Sequence, residues 1–196
     1  MTIRGGSEET SLVTRAKQGD LEAFETLYEI HKTAVYRTAL AITGDRLTAE
    51  EILQEAFLRV FKNINTAREG VSLSPWLYRI AVNLAYDWLS QHRWRQVTLD
   101  DILEQLIIPA VTPPDQTVEE HELYGLVHEA IDKLEFKQRA TLVLFYLHDF
   151  SLSEIAEIMD CPVGTVKSRL YYARENLRRE LLADQRLPTS LIYEFI

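Results

Sequence analysis

The sequence predicts an all-α protein of two small helical domains joined by a linker, the C-terminal domain being a helix-turn-helix. Apolar residues recur at steps of three and four along most of the 196-residue chain, as in amphipathic helices. Only seven Gly and six Pro interrupt this pattern. Three of the prolines lie in residues 97–117, which separate two helical sets and are predicted to be a linker.

The first domain is predicted to span residues 10–96, and its early helices have clear end signals. Helical periodicity begins at Leu12. Asp20 is a predicted N-cap for a helix over about 21–42, which Gly44 ends.

The next two helices of this domain flank a polar segment. Thr48, with Glu51 three residues later, predicts a capping box that opens a helix to about Asn63. Residues 64–74 are predicted to be a loop. Pro75 suits a first helical position, and the helix is expected to run to about Arg95.

The second domain is predicted to span residues 118–182. Its periodicity gives four helices, followed by an apolar tail over residues 183–196 that we expect to pack against another surface. The four helices are predicted at about 118–133, 136–148, 152–159 and 163–182.

The strongest local pattern is the helix-turn-helix of the second domain. A short helix with Ile155, Ala156 and Met159 facing inward is followed by a tight turn over residues 160–162. Small Ala156 allows a close helix crossing. The second helix buries Val166, Leu170, Ala173 and Leu177.

The exposed face of this second helix carries groups that suit a DNA major groove. Side chains of Lys, Ser and Tyr can meet base edges, while Arg169 and Arg174 can hold phosphates. An ordinary helical hairpin with a solvated basic face is the alternative. The candidate DNA-binding residues are Thr165, Lys167, Ser168, Arg169, Tyr171, Tyr172 and Arg174.

The charge distribution agrees with local contact to DNA. The chain has a formal net charge of −9, yet residues 163–179 hold five basic residues and one acidic residue. Such asymmetry is expected of a protein that touches DNA in one place and acts as a subunit of a larger assembly.

The composition also argues against several other classes of protein. No apolar run is long enough to cross a bilayer, and residues 1–20 lack a secretory signal, so no membrane insertion and a cytoplasmic location are expected. Cys161 is the only cysteine, and the five histidines are scattered without ligand spacing. We therefore expect no metal, no cofactor and no enzymatic activity.

Residues 152–177 resemble the fourth region of bacterial RNA polymerase sigma factors, especially the small extracytoplasmic-function (ECF) group. The stretch Pro162-Val-Gly-Thr-Val-Lys-Ser-Arg carries most of this resemblance. In that family the matching helix contacts the −35 promoter element. The resemblance implies that promoter DNA is a partner of this chain.

A second resemblance lies in residues 49–62, which look like the helix of the family's second region that docks on the polymerase. It implies core RNA polymerase as a partner, through the clamp region of its beta-prime subunit. A polar stripe at helical spacing supplies the candidates, although a solvated helix face is the alternative. These residues are Glu51, Gln54, Glu55 and Arg59.

Residues 75–95 resemble the family helix that engages the −10 element and helps to open the duplex. Polar and aromatic groups beside basic residues suit single strands, although Trp88 falls on the apolar stripe and core packing is its alternative. Residues 90–95 hold fewer arginines than the family's pattern, which predicts either weaker DNA affinity there or a different readout. The candidates are Asn83, Asp87, Trp88, His92, Arg93 and Arg95.

Together these resemblances predict a sigma factor that binds core polymerase and directs initiation at promoters with −10 and −35 elements. They also imply an anti-sigma factor as a partner. A stand-alone helix-turn-helix regulator is the alternative from another class, and a hydrolase or metal enzyme is the least supported.

Overall fold

The computed structural model describes residues 6–67, 70, 72–91, 126–127 and 129–184, and this part of the chain is helical without strands. It confirms the predicted all-α, two-domain fold. The linker predicted at 97–117 and almost all of the tail lie outside the described residues. The helices with both ends described are α1 (Gly6–Lys17), α2 (Leu21–Thr43), α3 (Arg46–Asn63), α4 (Ser74–Gln91), α5 (Phe136–His148), α6 (Leu152–Ile158) and α7 (Val163–Ala183). Residues 126–127 and 129–132 are also helical, within the helix predicted at about 118–133.

Helix α2 begins and ends where the sequence predicts. The Asp20 carboxylate accepts a hydrogen bond from the Ala23 amide at 3.1 Å, which satisfies one of the unpaired donors of the first turn. Gly44 adopts a left-handed conformation with φ 68°, and its amide donates to the Leu40 carbonyl.

The capping box predicted at Thr48 is wrong. Helix α3 begins at Arg46, and Asp45 is its N-cap, with the Asp45 carboxylate accepting from the Thr48 amide at 2.7 Å. The Thr48 hydroxyl also donates to Asp45, and Thr48 lies inside the first turn of the helix, not at its N-cap. A carboxylate accepts more strongly than a hydroxyl at a helix N-terminus, where it also meets the positive end of the dipole.

The core of the first domain lies around α2, which packs against α1, α3 and α4. Each buried aliphatic side chain contributes about 1.5 to 3 kcal/mol to stability relative to an exposed one. A short 3₁₀ turn, Ile64–Thr66, follows α3 where a plain loop was predicted, because Ile64 is buried in the same core. The large buried side chains include Leu27, Val35, Ile42, Val60 and Leu77.

In the second domain, α6 and α7 form the predicted helix-turn-helix, and α5 packs across α7. Ser151 and Glu154 form a capping box that opens α6. Ile155 and Ala156 face inward as predicted, but Met159 is only partly buried, and Ile158 takes the core position. The α7 residues Val166, Leu170 and Ala173 are buried, whereas Leu177 is partly buried.

The two domains pack directly on each other, which the sequence did not predict. Helix α5 contacts α2, and α6 contacts α4. A single cluster of buried apolar side chains continues from the first domain into α5, α6 and the start of α7. The described residues therefore form a closed arrangement of the two domains.

Candidate nucleic-acid interface

The first turns of α7 present a polar and aromatic face to solvent. Lys167 and Ser168 are exposed, and Tyr171 and Tyr172 remain 61% and 57% exposed. The two tyrosine rings contact each other edge to face, with centroids 5.4 Å apart. Val166 and Leu170 anchor the opposite side of the helix in the core, so this face is held rigidly outward.

Of the two arginines predicted to hold phosphates, Arg169 lies off this face and Arg174 lies beside it. Arg169 lies two residues from Lys167, about 200° around the helix, and its guanidinium donates to the Cys161 sulfur at 3.3 Å. The Arg174 guanidinium stacks over the rings of Phe145 and Tyr146, 5.5 and 5.4 Å from their centroids. Arg174 is thus fixed beside the exposed face, while Arg169 supports the turn.

A shallow groove of about 300 Å³ runs along this side of the helix-turn-helix. Its lining combines apolar and aromatic side chains with two cations. Lys167, Tyr171 and Arg174 follow one another at helical steps of four and three, and all three line it. The lining residues are Phe145, Leu152, Lys167, Leu170, Tyr171 and Arg174.

Helix α4 brings together only part of the predicted −10 set. Asn83 and Asp87 are exposed and share one face, four residues apart. Trp88 is partly buried and lies about 140° from Asn83, so it does not join that face. The remaining candidates, His92, Arg93 and Arg95, lie outside the described residues.

Helix α3 carries a longer exposed stripe than the sequence predicted. Glu51 and Gln54 are exposed, and Arg59 is paired with Glu55 at 2.7 Å. Exposed apolar side chains extend the same face, with Leu47, Leu58 and Phe61 at 72%, 50% and 47% exposure. We call residues 47, 51, 54, 58 and 61 the α3 stripe. Their steps of four and three could have been found in the sequence.

The contact between the domains brings the two candidate DNA-binding helices close together. Asp160, in the turn of the helix-turn-helix, pairs with Arg79 of α4 at 2.9 Å. Tyr86 of α4 also packs on Phe136 of α5, with ring centroids 5.0 Å apart. The turn that precedes α7 therefore rests against the helix that carries Asn83.

His148, the last residue of α5, is inserted into the first domain. Its Nε2 hydrogen bonds with the Thr38 hydroxyl at 2.6 Å, and its Nδ1 lies 3.4 Å from the Tyr78 hydroxyl. The pKa of His148 is lowered to about 4. Burial is the main cause, the nearby charge of Arg37 adds to it, and the charge of Asp149 opposes it. Burial also raises the pKa of the Tyr78 hydroxyl. The contact therefore uses a neutral imidazole.

Arg139 forms a second buried contact between the domains. Its guanidinium donates to the Ile42 carbonyl of α2 at 2.9 Å and to the Asp132 carbonyl of its own domain. It also pairs with the Asp132 carboxylate at 3.0 Å. Burial lowers the pKa of Arg139, opposed by the charge of Asp132.

Two features that other functions would need were not found among the residues that can be described. No group of three or more His, Cys, Asp or Glu side chains comes together there to hold a metal ion. None of the helices in those ranges is long and apolar enough to cross a membrane.

Family models match both domains. Residues 27–95 match the model described as Sigma-70 region 2, and residues 124–177 match the model described as Sigma-70, region 4. Helices α3 and α4 lie within the first match, and the helix-turn-helix lies within the second up to residue 177.

Curated relatives align over nearly the whole chain. The ECF RNA polymerase sigma factor SigW of Bacillus subtilis (strain 168) is 36% identical over 178 residues, covering 86% of this chain and 94% of SigW. The ECF RNA polymerase sigma-E factor of Escherichia coli (strain K12) is 34% identical over 174 residues, covering 84% of this chain and 89% of its own.

Solved structures share the fold. CnrH in complex with the cytosolic domain of CnrY matches with a TM-score of 0.71 at 21% identity, covering 91% of this chain and all of CnrH. RpoE in complex with the anti-sigma factor NepR from Bartonella quintana matches with a TM-score of 0.60 at 23% identity, covering 83% of this chain and 98% of its own.

Proposed function

The chain belongs to the ECF group of RNA polymerase sigma factors, and we propose that α7 reads the −35 duplex while α4 engages the −10 element. As a sigma factor it binds core RNA polymerase and directs initiation at particular promoters. The relatives do not favour a stand-alone regulator. The exposed α7 face carries the proposal for the −35 element.

The chemistry of the α7 face suits a major groove. The groove admits one helix and displays acceptors on guanine and thymine, which the Lys167 ammonium can meet. The Ser168, Tyr171 and Tyr172 hydroxyls can donate or accept, and their rings or methylenes can contact thymine methyl groups. Arg174, fixed by Phe145 and Tyr146, supplies a cation for a phosphate.

On α4, the exposed amide of Asn83 and carboxylate of Asp87 form the described part of the proposed −10 surface. Amides and carboxylates pair with the edges of unstacked bases. Arg93 and Arg95 follow in the sequence and would supply cations for the strand backbone. Trp88 is proposed to support the helix from the core side rather than to stack on a base.

The α3 stripe is the proposed polymerase-docking surface. Its apolar members, Leu47, Leu58 and Phe61, supply the desolvated area that protein interfaces need at their centre. Glu51 and Gln54 lie between them and supply polar contacts. The paired Glu55 and Arg59 are proposed to lie at the edge of this surface, where an exposed ion pair contributes little energy.

Promoter binding by this mechanism requires the closed domains to separate. Elements centred near −10 and −35 lie about 25 base pairs apart, or about 85 Å at about 3.4 Å per base pair. A folded chain of this length is only about 40 Å across. The segment between the domains, residues 92–125, can span about 110 Å when extended, so its length permits the separation.

The remaining parts of the proposal follow from where such a factor acts. We expect the protein to work in the cytoplasm beside the polymerase and to contribute no catalysis of its own. RpoE of Bartonella quintana, which shares the fold, was solved with an anti-sigma factor. We propose that an anti-sigma factor also binds this chain, where it would compete with core polymerase.

Run-off transcription tests the separate roles proposed for α7 and α4. With core polymerase, Lys167→Ala combined with Tyr171→Ala is expected to lower transcription about 10-fold from a −35-dependent template, with core affinity unchanged. Asn83→Ala combined with Asp87→Ala is expected to lower transcription even from templates with intact −35 elements. Wild-type protein that neither binds core polymerase nor starts a transcript contradicts the proposal.

A further inference from the structure

Helix α1 precedes the part of the chain that matches Sigma-70 region 2, yet it holds a buried carboxylate. Glu9 is only 8% exposed. A carboxylate removed from water costs several kcal/mol unless it is hydrogen bonded, so its partners show what holds it there. Those partners are unusual in that they come from two other segments of the chain.

The Glu9 carboxylate bonds to the segment that leads into α4. Its Oε1 accepts from the Leu73 amide at 2.9 Å, and both oxygens lie 3.1 Å from the Ser72 hydroxyl. His31 of α2 contacts Oε1 at 3.2 Å. Burial acts to raise the pKa of Glu9, but His31, Ser72 and the Leu73 amide together hold it below its usual value.

A second residue of α1 bonds to the other side of the same connection. Lys17, at the end of α1, donates from Nζ to the Ala67 carbonyl at 2.8 Å, just after the 3₁₀ turn that follows α3. Helix α1 therefore forms hydrogen bonds both with the chain that leaves α3 and with the chain that enters α4. The Leu73 carbonyl accepts from the Leu77 amide, which places Leu73 at the first hydrogen bond of α4.

Apolar packing already fixes α1 in the domain. Leu12, Val13 and Ala16 are buried in the main core. The bonds from Glu9 and Lys17 add directional constraints on residues 67 and 72–73, which packing alone does not provide. Hydrogen bonds with defined donors hold a backbone segment to a narrow range of positions, as the supporting residues of a binding site must.

We propose that Glu9 and Lys17 are positioning residues for −10 recognition, acting by fixing the chain on both sides of the α3–α4 connection and hence the start of α4. This inference rests on the proposed role of α4 at the −10 element. Neither side chain needs to touch DNA. Their removal should alter which −10 sequences are preferred and leave −35 recognition and polymerase docking unchanged.

The test uses isosteric or length-matched variants of the full chain. Glu9→Gln keeps the shape but removes the charge, and Lys17→Met keeps the apolar stem. Glu8→Gln, at the neighbouring exposed position, and Lys32→Met, on the exposed side of α2, are the matched controls. If Glu9→Gln does not fold, Ser72→Ala replaces it, because it removes the hydroxyl that bonds both Glu9 oxygens and leaves the Leu73 bond in place.

Two readouts are measured. Run-off transcription with core polymerase uses a template pool randomised in the −10 element behind a fixed −35 element. Hydrogen exchange of the Leu73 amide reports the bond itself. We expect each variant to reduce the −10 preference about 5-fold, because Glu9→Gln removes the charge that strengthens the bonds to Leu73 and Ser72 and Lys17→Met removes the bond to Ala67. Leu73 exchange is expected to rise by a similar factor in Glu9→Gln.

Specific outcomes overturn the proposal. If the −10 and −35 preferences and core affinity fall together, Glu9 and Lys17 serve only general stability. If Leu73 exchange rises while the −10 preference is unchanged, the bonds to Glu9 do not influence −10 recognition. A wild-type protein that starts no transcript contradicts the proposed function instead, and an unchanged Leu73 exchange rate in Glu9→Gln then overturns the positioning role independently.

Discussion

Acidification is predicted to weaken the packing of the two domains through His148. The pKa of its imidazole is about 4 in the folded chain, against 6.5 for an unperturbed histidine. The unfolded chain therefore binds more protons between these two pH values, and folded-state stability falls as the pH drops through this window. Well above pH 6.5 the imidazole is neutral in both the folded and the unfolded chain, so none of this stability is lost.

The size of the effect follows from the two pKa values. Lowering the pH from 7.5 to 5.0 should cost about 2 kcal/mol by proton linkage, and residual contact of the ring with water reduces this to about 1 to 2 kcal/mol. The Thr38 hydroxyl donates to the Ala34 carbonyl, so the His148 Nε2 donates to Thr38 and Nδ1 is the acceptor that faces the Tyr78 hydroxyl. Protonation removes that acceptor and places a charge near Arg37. Asp149 opposes only part of this cost.

Urea unfolding at pH 7.5 and 5.0 measures the effect, with His148→Gln as the reference. Glutamine can bond to Thr38 but does not titrate, so the difference between the two proteins isolates the imidazole. Glu9 titrates in both proteins, and because its pKa is lowered its contribution is lost mainly at lower pH. Equal pH dependence of wild type and His148→Gln would refute the reasoning.

Three further predictions concern other contacts. Leu58→Asp should lower affinity for core polymerase about 10-fold in a fluorescence titration, whereas Leu182→Asp, on a similarly exposed leucine of α7, should not. Arg139→Met should lower the free energy of unfolding by about 2 to 4 kcal/mol, since it leaves buried carbonyls without donors, and a loss below about 1 kcal/mol would contradict this. Asp160→Asn should change stability by less than about 1 kcal/mol, because its pair with Arg79 is exposed and Asn tolerates the positive φ of 49°.

Local signals in the sequence predicted most of the helices. The Asp20 cap and the Gly44 terminus act within a few residues, so pattern alone locates them. The start of α3 was misplaced because Asp45 and Thr48 are both good capping residues. Only the structure shows that the Asp45 carboxylate accepts from Thr48.

Contacts between distant parts of the chain were not predictable. His148 meets Thr38 across 110 positions, and Glu9 meets Leu73 across 64. Nothing in either local pattern indicates its partner. The exposed α7 residues at the proposed −35 surface were identifiable because the buried stripe of the same helix defines the outward face. Trp88 was ambiguous because a large aromatic residue suits both a core and a base pocket.

Site-specific crosslinking in the complex with polymerase and a promoter tests the central claim most directly. A photoreactive residue placed at Tyr171 should crosslink to the −35 element, and one placed at Asn83 to the −10 element. The two crosslinks should lie about 25 base pairs apart, about 85 Å in B-form DNA. Crosslinks from both positions within one turn of DNA, or from Tyr171 to the −10 element, would contradict the account.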